Sequence, residues 1–237
     1  MKTLTLAAVA LGLAIAGSAN AATNLIVNGD FESAIGDPNT AVGRGFDTDY
    51  AYRSGSSNMS GNPNSMYDEG TWTIGTNPHD VHDLWIDQTF SKMLILNGRT
   101  NNLPSVAWSQ SFAVSGGLYN YAFDVVNVYA GGDPSHIDFD FSTDGGVSFV
   151  NLDSVQTTPP GDAGFVWHRS GDFTVGAGTI RVSLRNTLGG FGGNDFGIDN
   201  ISVSAAVPEP TTWALMIGGF GAAGAMLRSN RRRAVAA

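Results

Sequence analysis

The sequence predicts an all-β protein whose body is a jelly-roll β-sandwich. Apolar residues alternate with polar ones in short segments, for example IDFDFS at residues 137–142 and TIRVSLR at residues 179–185. This period of two is typical of strands with one buried face. Glycine-rich stretches predict turns between the strands, at residues 116–117, 144–146 and 176–178. No sustained helical spacing of apolar residues occurs between residues 24 and 204, which favours antiparallel strands throughout.

The first residues predict a secretory signal peptide over residues 1–21. Lys2 is followed by an apolar run from Leu4 to Ala16, and Ala19-Asn20-Ala21 supplies the small residues that precede a cleavage point. A permanent membrane helix is the alternative, but the apolar run is short and no stop-transfer sequence follows it. The sequence therefore predicts export, with residues 22–206 as the body of the mature protein.

The body is strongly acidic and contains no cysteine, so no disulfide holds it together. All 21 acidic residues lie between Asp30 and Glu209. Of the 12 basic residues one lies in the leader and four lie in the tail, which leaves seven in that range and a net charge of −14. Such a charge repels phosphate backbones and argues against nucleic-acid binding. It suits calcium, neutral sugars or simple solubility.

The C-terminal residues 207–237 predict a sorting signal. Pro208 and Pro210 around Glu209 make a stiff, extended peptide, which suits a protease that reads extended backbone. A membrane helix is predicted over residues 212–227, and a basic stop over residues 228–233 follows it on the cytoplasmic side. An ordinary membrane anchor is the alternative, but the order of signature, apolar helix and basic stop is that of a processed signal.

This tail resembles the PEP-CTERM sorting signal of Gram-negative bacteria. The residues that carry the resemblance are Val207, Pro208, Glu209, Pro210, Trp213, Arg231, Arg232 and Arg233. The resemblance implies that an exosortase, a membrane-embedded protease or transpeptidase, recognises the Pro-Glu-Pro and removes the tail. It also implies an inner-membrane-anchored precursor that later reaches the outer surface or the extracellular matrix, where such proteins are associated with exopolysaccharide and biofilm.

Two segments at the ends of the body carry a second resemblance, NLIVNGDFES at residues 24–33 and NDFGIDNISVS at residues 194–204. They resemble the galactose-binding-like jelly rolls of carbohydrate-binding modules. That resemblance implies that the first and last strands pair and that a structural Ca²⁺ bridges them through Glu32, Asp199 and a carbonyl near Asp30. The alternative is that Glu32 and Asp199 are solvated residues at strand ends.

The last strand has an irregular pattern, because Ile198 and Ile201 are three residues apart. Strand geometry would place them on opposite faces. A β-bulge near Asp199 and Asn200 is therefore predicted, since it would keep both isoleucines in the core.

Carbohydrate binding would require an exposed aromatic face. Trp72, Trp108 and Trp167 share strand faces with aliphatic or aromatic neighbours and are predicted to lie in the core. Trp85 lies between Leu84 and Ile86 and faces the opposite way, so it is predicted to be exposed and is the first candidate for ligand binding.

Three tyrosines are the next candidates for ligand binding, namely Tyr50, Tyr52 and Tyr67. They lie in residues 36–70, which are rich in Gly, Ser, Asn and Pro. A structureless segment of this length is uncommon, so it is interpreted as either functional or mobile.

Enzymatic motifs are weak. The cluster HDVHD at residues 79–83 could bind a transition metal or act as an acid–base pair, but it has no zinc-site spacing, and a solvent-exposed loop is the favoured interpretation. No GxSxG motif, catalytic cysteine or phosphate loop occurs.

The sequence thus predicts a non-catalytic surface or matrix protein that binds carbohydrate. A structural or adhesive matrix protein without a defined ligand and a polysaccharide hydrolase are the alternatives.

Overall fold

The computed structural model describes residues 22–190, 192–206, 217–226 and 228. The chain divides into two compact units, one of which is Thr23–Ala205 and the other of which combines Met1–Ala22 with Ala206–Ala237. The predicted signal peptide and the motif residues 207–213 and 231–233 lie outside the described residues.

Eight strands and two short helices make up the body. The elements are α1 (Ala41–Arg44), β1 (Ala51–Tyr52), β2 (Thr71–Gly75), a 3₁₀ helix (Pro78–Asp80), β3 (Met93–Asn97), β4 (Ser105–Asn127), β5 (His136–Ser142), β6 (Val150–Gln156), β7 (Val166–Asn186) and β8 (Phe196–Ala205). The strands form one sheet in the order β1-β2-β3-β8-β4-β7-β5-β6. All neighbours are antiparallel except β1 and β2, which are parallel.

The sheet folds over on itself along its two longest strands, β4 and β7. Phe123 of β4 pairs with Arg169 of β7, and Phe139 of β5 pairs with Leu184 of β7. Fifteen residues of extended chain separate Arg169 from Leu184, which corresponds to about 50 Å. Yet the rings of Phe123 and Phe139 stack with centroids 4.9 Å apart. The two ends of β7 therefore belong to opposite layers, and the predicted all-β jelly-roll sandwich is confirmed.

Glycines mark the point at which both long strands bend. Gly116 and Gly117 have φ values of 82° and 119°, and Gly178 has a φ of 153°. Gly178 pairs with Val114 and Gly117 pairs with Val175, so the glycines of the two strands lie side by side. The sequence predicted turns at these glycines. They instead lie inside continuous strands, where glycine permits the backbone to change layers.

Two hydrophobic clusters lie on the two faces of the sheet. The larger fills the space between the layers and includes Trp72 and Trp108, which are 1% and 0% exposed and confirm their predicted place in the core. Trp167 packs only partly against it. The smaller cluster covers the outer face of β3 and β4 and consists of Met66, Val81, Trp85, Met93, Ile95, Val126 and Val128.

The segment of residues 36–70 is structured. It contains α1 and β1, and it buries Phe46 and Tyr50 in the larger cluster and Met66 in the smaller one. Its polar composition hides these anchors, because apolar side chains are widely spaced in it.

The first and last segments of the body pair, as the second resemblance implied. Asn24 forms an antiparallel bridge with Ser204, and the backbone N–H of Leu25 donates to the carbonyl of Val203 over 2.8 Å. The predicted bulge is also present. Ala122 and Asp124 of β4 pair with Ser202 and Asp199 of β8, so β8 carries one extra residue between them.

Gly29 is required by this pairing. Its carbonyl accepts a hydrogen bond from the backbone N–H of Ile201 over 2.9 Å. A Cβ atom added at Gly29 would lie 2.1 Å from the carbonyl oxygen of Ile201.

We expect Gly29→Ala to lower the free energy of unfolding by about 1–3 kcal/mol, because a backbone atom must move to make room. Urea denaturation measures this loss. Gly176→Ala is the matched control, since a Cβ there meets nothing within 4 Å. Equal stability of the two variants would contradict the close approach.

Residues 217–226 are helical. Within the described ranges, no helix combines the length and the apolar character needed to cross a membrane. The membrane helix predicted over residues 212–227 includes residues outside these ranges and stays a prediction.

Candidate ligand-binding grooves

Two concave surfaces meet at Ser33 in the N-terminal segment. The first, which we call the polar groove, has a volume of about 480 Å³ and is lined by Asn24, Ile26, Asn28, Gly29, Asp30, Ser33, Asn200, Ile201 and Ser202. The second, which we call the Tyr52 groove, has a volume of about 330 Å³ and is lined by Phe31, Ser33, Ala34, Ile35, Tyr52, Ser54, Thr73, Ile74, Gly75, Thr76 and Lys92.

The Tyr52 groove combines an aromatic ring with hydrogen-bonding groups. Tyr52 is half-buried and packs against the fully buried Trp72, with ring centroids 5.0 Å apart. The parallel pairing of β1 with β2 places the two rings together, since Tyr52 and Trp72 are partners in register. Serine and threonine hydroxyls from Ser33, Ser54 and Thr76 contribute to the lining, and Phe31, Ala34, Ile35 and Ile74 contribute apolar surface. An anchored ring beside several hydroxyls is the combination that fixes and orients a small polar ligand.

Lys92 lines this groove and contacts Glu32. The Lys92 ammonium donates to the carbonyl of Glu32 over 3.0 Å, and the Lys92 backbone N–H donates to Glu32 Oε1 over 3.0 Å. The ammonium also lies 3.9 Å from Glu32 Oε2. Glu32 therefore has a cation of the protein itself beside its carboxylate.

Asp199 lies among other carboxylates. Its Oδ2 accepts a hydrogen bond from Ser91 Oγ over 2.6 Å, and its Oδ1 accepts one from the Asn200 N–H over 2.8 Å. Burial raises the pKa of the Asp199 carboxyl above its ordinary value, and the negative charges of Asp124 and Asp30 raise it further. A cation near Asp199 would relieve this repulsion.

The predicted calcium ligands are only partly gathered. Asp199 and Asp30 interact electrostatically, but Glu32 is occupied by Lys92. The described part of the chain contains no group of three or more His, Asp or Glu side chains that could hold a metal ion. Calcium binding at Glu32, Asp199 and Asp30 stays a prediction, with its support confined to the charge around Asp199.

If calcium binds there, we expect it to raise the melting midpoint relative to the same protein in EGTA, because a ligand of the native state alone stabilises that state. At a hundredfold excess over its dissociation constant the gain is about 2.7 kcal/mol. Asp199→Asn should abolish the difference, whereas Asp172→Asn, on an exposed position of β7, should preserve it. Identical midpoints for the unaltered protein would end the calcium prediction.

Trp85 was predicted to be exposed, and this prediction is wrong. The side chain is only 3% exposed, because the chain that follows the 3₁₀ helix packs over the outer face of the sheet and Trp85 inserts into the smaller cluster. Tyr50 is 5% exposed, and its hydroxyl contacts Ser105 and Asn186 in the core. Of the four aromatic candidates for ligand binding, only Tyr52 lines a groove described here.

Tyr67 belongs to a stack of three rings. Its ring lies 3.8 Å from that of His82, which lies 4.6 Å from that of Trp85, and both pairs are close to parallel. The Tyr67 hydroxyl donates to the Asp83 carboxylate. The stack caps the smaller cluster.

The HDVHD segment is therefore part of this cap, and its interpretation as an exposed loop is wrong for His82, which is 7% exposed. His79 Nδ1 lies 3.2 Å from the Trp85 carbonyl. Burial lowers the pKa of His82 to about 4, so at neutral pH an uncharged imidazole lies between the two aromatic rings.

Asp195 is a buried carboxyl that sequence reasoning missed. Its Oδ2 accepts a hydrogen bond from Trp85 Nε1, and its Oδ1 accepts one from the Gly98 N–H, each over 3.0 Å. Burial raises the pKa of Asp195 to about 7, and the negative charge of Glu69 contributes to the rise. No local pattern reveals this site, because 110 residues separate Asp195 from Trp85.

Comparison with family models identifies the tail. Residues 206–233 match the PEP-CTERM protein-sorting motif. The motif indicates an exported protein that is sorted to the cell surface. Comparison of the sequence with curated proteins found no match.

Several solved carbohydrate-binding domains are similar to the body. The C-terminal domain of EclA, a sugar-binding protein, is 14% identical, covers 55% of this chain and 89% of its own, and has a TM-score of 0.41. The CBM22-1 xylan-binding domain from Paenibacillus barcinonensis is 15% identical and has a TM-score of 0.39. The match covers 60% of this chain and 93% of that domain. TmCBM61, solved with β-1,4-galactotriose, is 15% identical and has a TM-score of 0.45. The match covers 78% of this chain and 100% of TmCBM61.

Proposed function

We propose that this is a non-catalytic surface or matrix protein that binds neutral carbohydrate in the Tyr52 groove. The observation that carries the proposal is the Tyr52 ring, fixed on Trp72, in a groove of about 330 Å³ that serine and threonine residues also line. Pyranose rings present an apolar face and a rim of hydroxyls, so they can stack on the tyrosine and bond to the groove at the same time.

Charge favours a neutral ligand. The range from Asp30 to Glu209 carries a net charge of −14, and the one basic residue that lines the Tyr52 groove, Lys92, is already paired with Glu32. Anionic polysaccharides would therefore meet repulsion without a compensating cation.

We expect Tyr52→Ala to weaken carbohydrate binding at least about tenfold, because a buried aromatic anchor carries much of the energy of a small site. The measurement is binding of the exported protein to an array of neutral saccharides. Phe165→Ala is the matched control, since this ring is 57% exposed and lies outside both grooves.

Each alternative predicts a different result, the first in this experiment and the second in an activity screen on polysaccharides. If the unaltered protein binds no saccharide on the array, the result favours a structural or adhesive protein without a defined ligand. Release of new reducing ends from a polysaccharide would instead favour the hydrolase.

We further propose that an exosortase cleaves the tail beside Pro208-Glu209-Pro210, so that an inner-membrane precursor gives rise to a surface or matrix form. The match of residues 206–233 to the sorting motif supports this step. Mass spectrometry of the mature C-terminus from cells that contain an exosortase tests it. Recovery of the exported protein with Arg231, Arg232 and Arg233 still attached would contradict it.

A further inference from the structure

The last strand of the body ends directly before the sorting motif. β8 extends to Ala205, and the match to the motif begins at residue 206. Only residues 206 and 207 lie between the strand and Pro208. An extended chain crosses that interval in at most about 10 Å, so the motif follows the end of β8 closely along the chain.

The end of β8 is held from both sides. Ser204 and Ala205 pair with Asn120 and Tyr119 of β4. On the opposite side, Ser204 forms its bridge with Asn24. The backbone of Val203 and of Ser204 is thus already engaged in pairing close to the point where the chain leaves the body.

The side chain of Asn24 strengthens this closure. Its Oδ1 accepts hydrogen bonds from the backbone N–H groups of Val203, over 3.1 Å, and of Ile26, over 3.0 Å. One carbonyl oxygen thus joins the N-terminal segment to β8 within five residues of Pro208. We call residues 24–25 and 203–205 the terminal clamp.

We propose that the terminal clamp slows recognition of the sorting motif, because the enzyme must unpair the end of β8 before it binds the residues that precede Pro208. The inference rests on the proposed exosortase processing and adds a positioning residue, Asn24, that acts through β8. Enzymes that bind extended peptides use the backbone N–H and C=O groups of several consecutive residues. In Val203 these groups bond to Leu25 and Asn24, and Ser204 is paired with Asn120 of β4.

Three full-length variants test the clamp in exosortase-containing cells. The first inserts Gly-Ser-Gly-Ser after Ala206, the second is Asn24→Ala, and the third is Asn24→Asp. Pulse labelling and mass spectrometry of the C-terminus follow the loss of the tail. We expect the spacer to speed processing about tenfold and Asn24→Ala to speed it severalfold, the effect of losing one or two hydrogen bonds. Asn24→Asp keeps the accepting Oδ1 and should be processed at the original rate.

A matched control separates the clamp from overall stability. Asp144 accepts hydrogen bonds from the N–H groups of Val147 and Ser148 in the turn between β5 and β6. Asp144→Ala should lower the melting midpoint and leave the rate of processing unchanged. If this variant is processed as fast as Asn24→Ala, or if the spacer and Asn24→Ala are processed at the original rate, the clamp is refuted. If neither the spacer variant nor the unaltered protein loses its tail, the proposed processing itself fails.

Discussion

Replacing Trp85 with alanine is expected to lower the free energy of unfolding by about 3–5 kcal/mol, the range observed when a large buried aromatic side chain is removed. Trp85 is 3% exposed in the smaller cluster. It also supports the His82 ring, 4.6 Å away, and donates its indole N–H to the buried Asp195. The variant therefore leaves a cavity and a buried carboxyl that has lost one of its two donors.

Urea denaturation near pH 6 measures this loss. Leu84→Ala is the control in the same segment, because Leu84 is 59% exposed and should cost less than about 0.5 kcal/mol. Trp85→Phe keeps an aromatic ring in the cluster and removes the N–H donor with part of the buried ring, so a smaller loss of about 1–3 kcal/mol is expected. A loss below about 1 kcal/mol for Trp85→Ala would show that the smaller cluster contributes little to the fold.

The sequence predicted the strands best where one face of the sheet is clearly buried. In β5, Ile137 and Phe139 are fully buried and Asp138 is half-buried, as alternation requires. The alternation ends at a register shift after Phe139, beyond which Asp140 is buried and Phe141 is half-buried. The irregular spacing of Ile198 and Ile201 also predicted the bulge in β8 correctly, because both isoleucines are buried. Hydrophobic periodicity predicts burial correctly at these positions because the burial of each residue depends only on the face of its own strand.

The errors arise where distant segments determine the outcome. Alternation indicates the side of a strand or loop on which Trp85 lies, but it does not show that the same segment folds over the outer face of β3. The glycines at 116–117 and 176–178 were predicted to form turns, because a turn and a bend inside a long strand both use positive φ values that glycine adopts readily. The burial of Asp195 could not be predicted from the sequence for the same reason, since the residue that packs against it, Trp85, is distant in the chain.

The pH dependence of stability is expected to change strongly in Asp195→Asn. The pKa of Asp195 rises from an ordinary value of 3.8 to about 7 in the folded chain. Between these values the folded chain keeps a proton that the unfolded chain has lost. The contribution of Asp195 to stability is therefore complete below about pH 4 and is lost as the pH rises to about 7, which corresponds to about 4 kcal/mol.

The titration of His82 changes the free energy of unfolding in the opposite direction over much of the same pH interval. Its pKa falls from an ordinary value of 6.5 to about 4, with burial as the main cause, although the charge of Asp83 opposes the fall. The unfolded chain takes up this proton first as the pH decreases, so the contribution of His82 is present above pH 6.5 and is lost toward pH 4. The unaltered protein combines both slopes, which partly cancel.

Substitution separates the two contributions. We expect the free energy of unfolding of Asp195→Asn, minus that of the unaltered protein, to grow by about 4 kcal/mol between pH 4 and pH 7.5. Urea denaturation at a series of pH values measures the difference, in which the shared titration of His82 and of the surface carboxylates cancels. Glu69→Gln should reduce the slope, because the charge of Glu69 raises the pKa of Asp195. A flat difference for Asp195→Asn would mean that its carboxyl ionises normally in the folded chain.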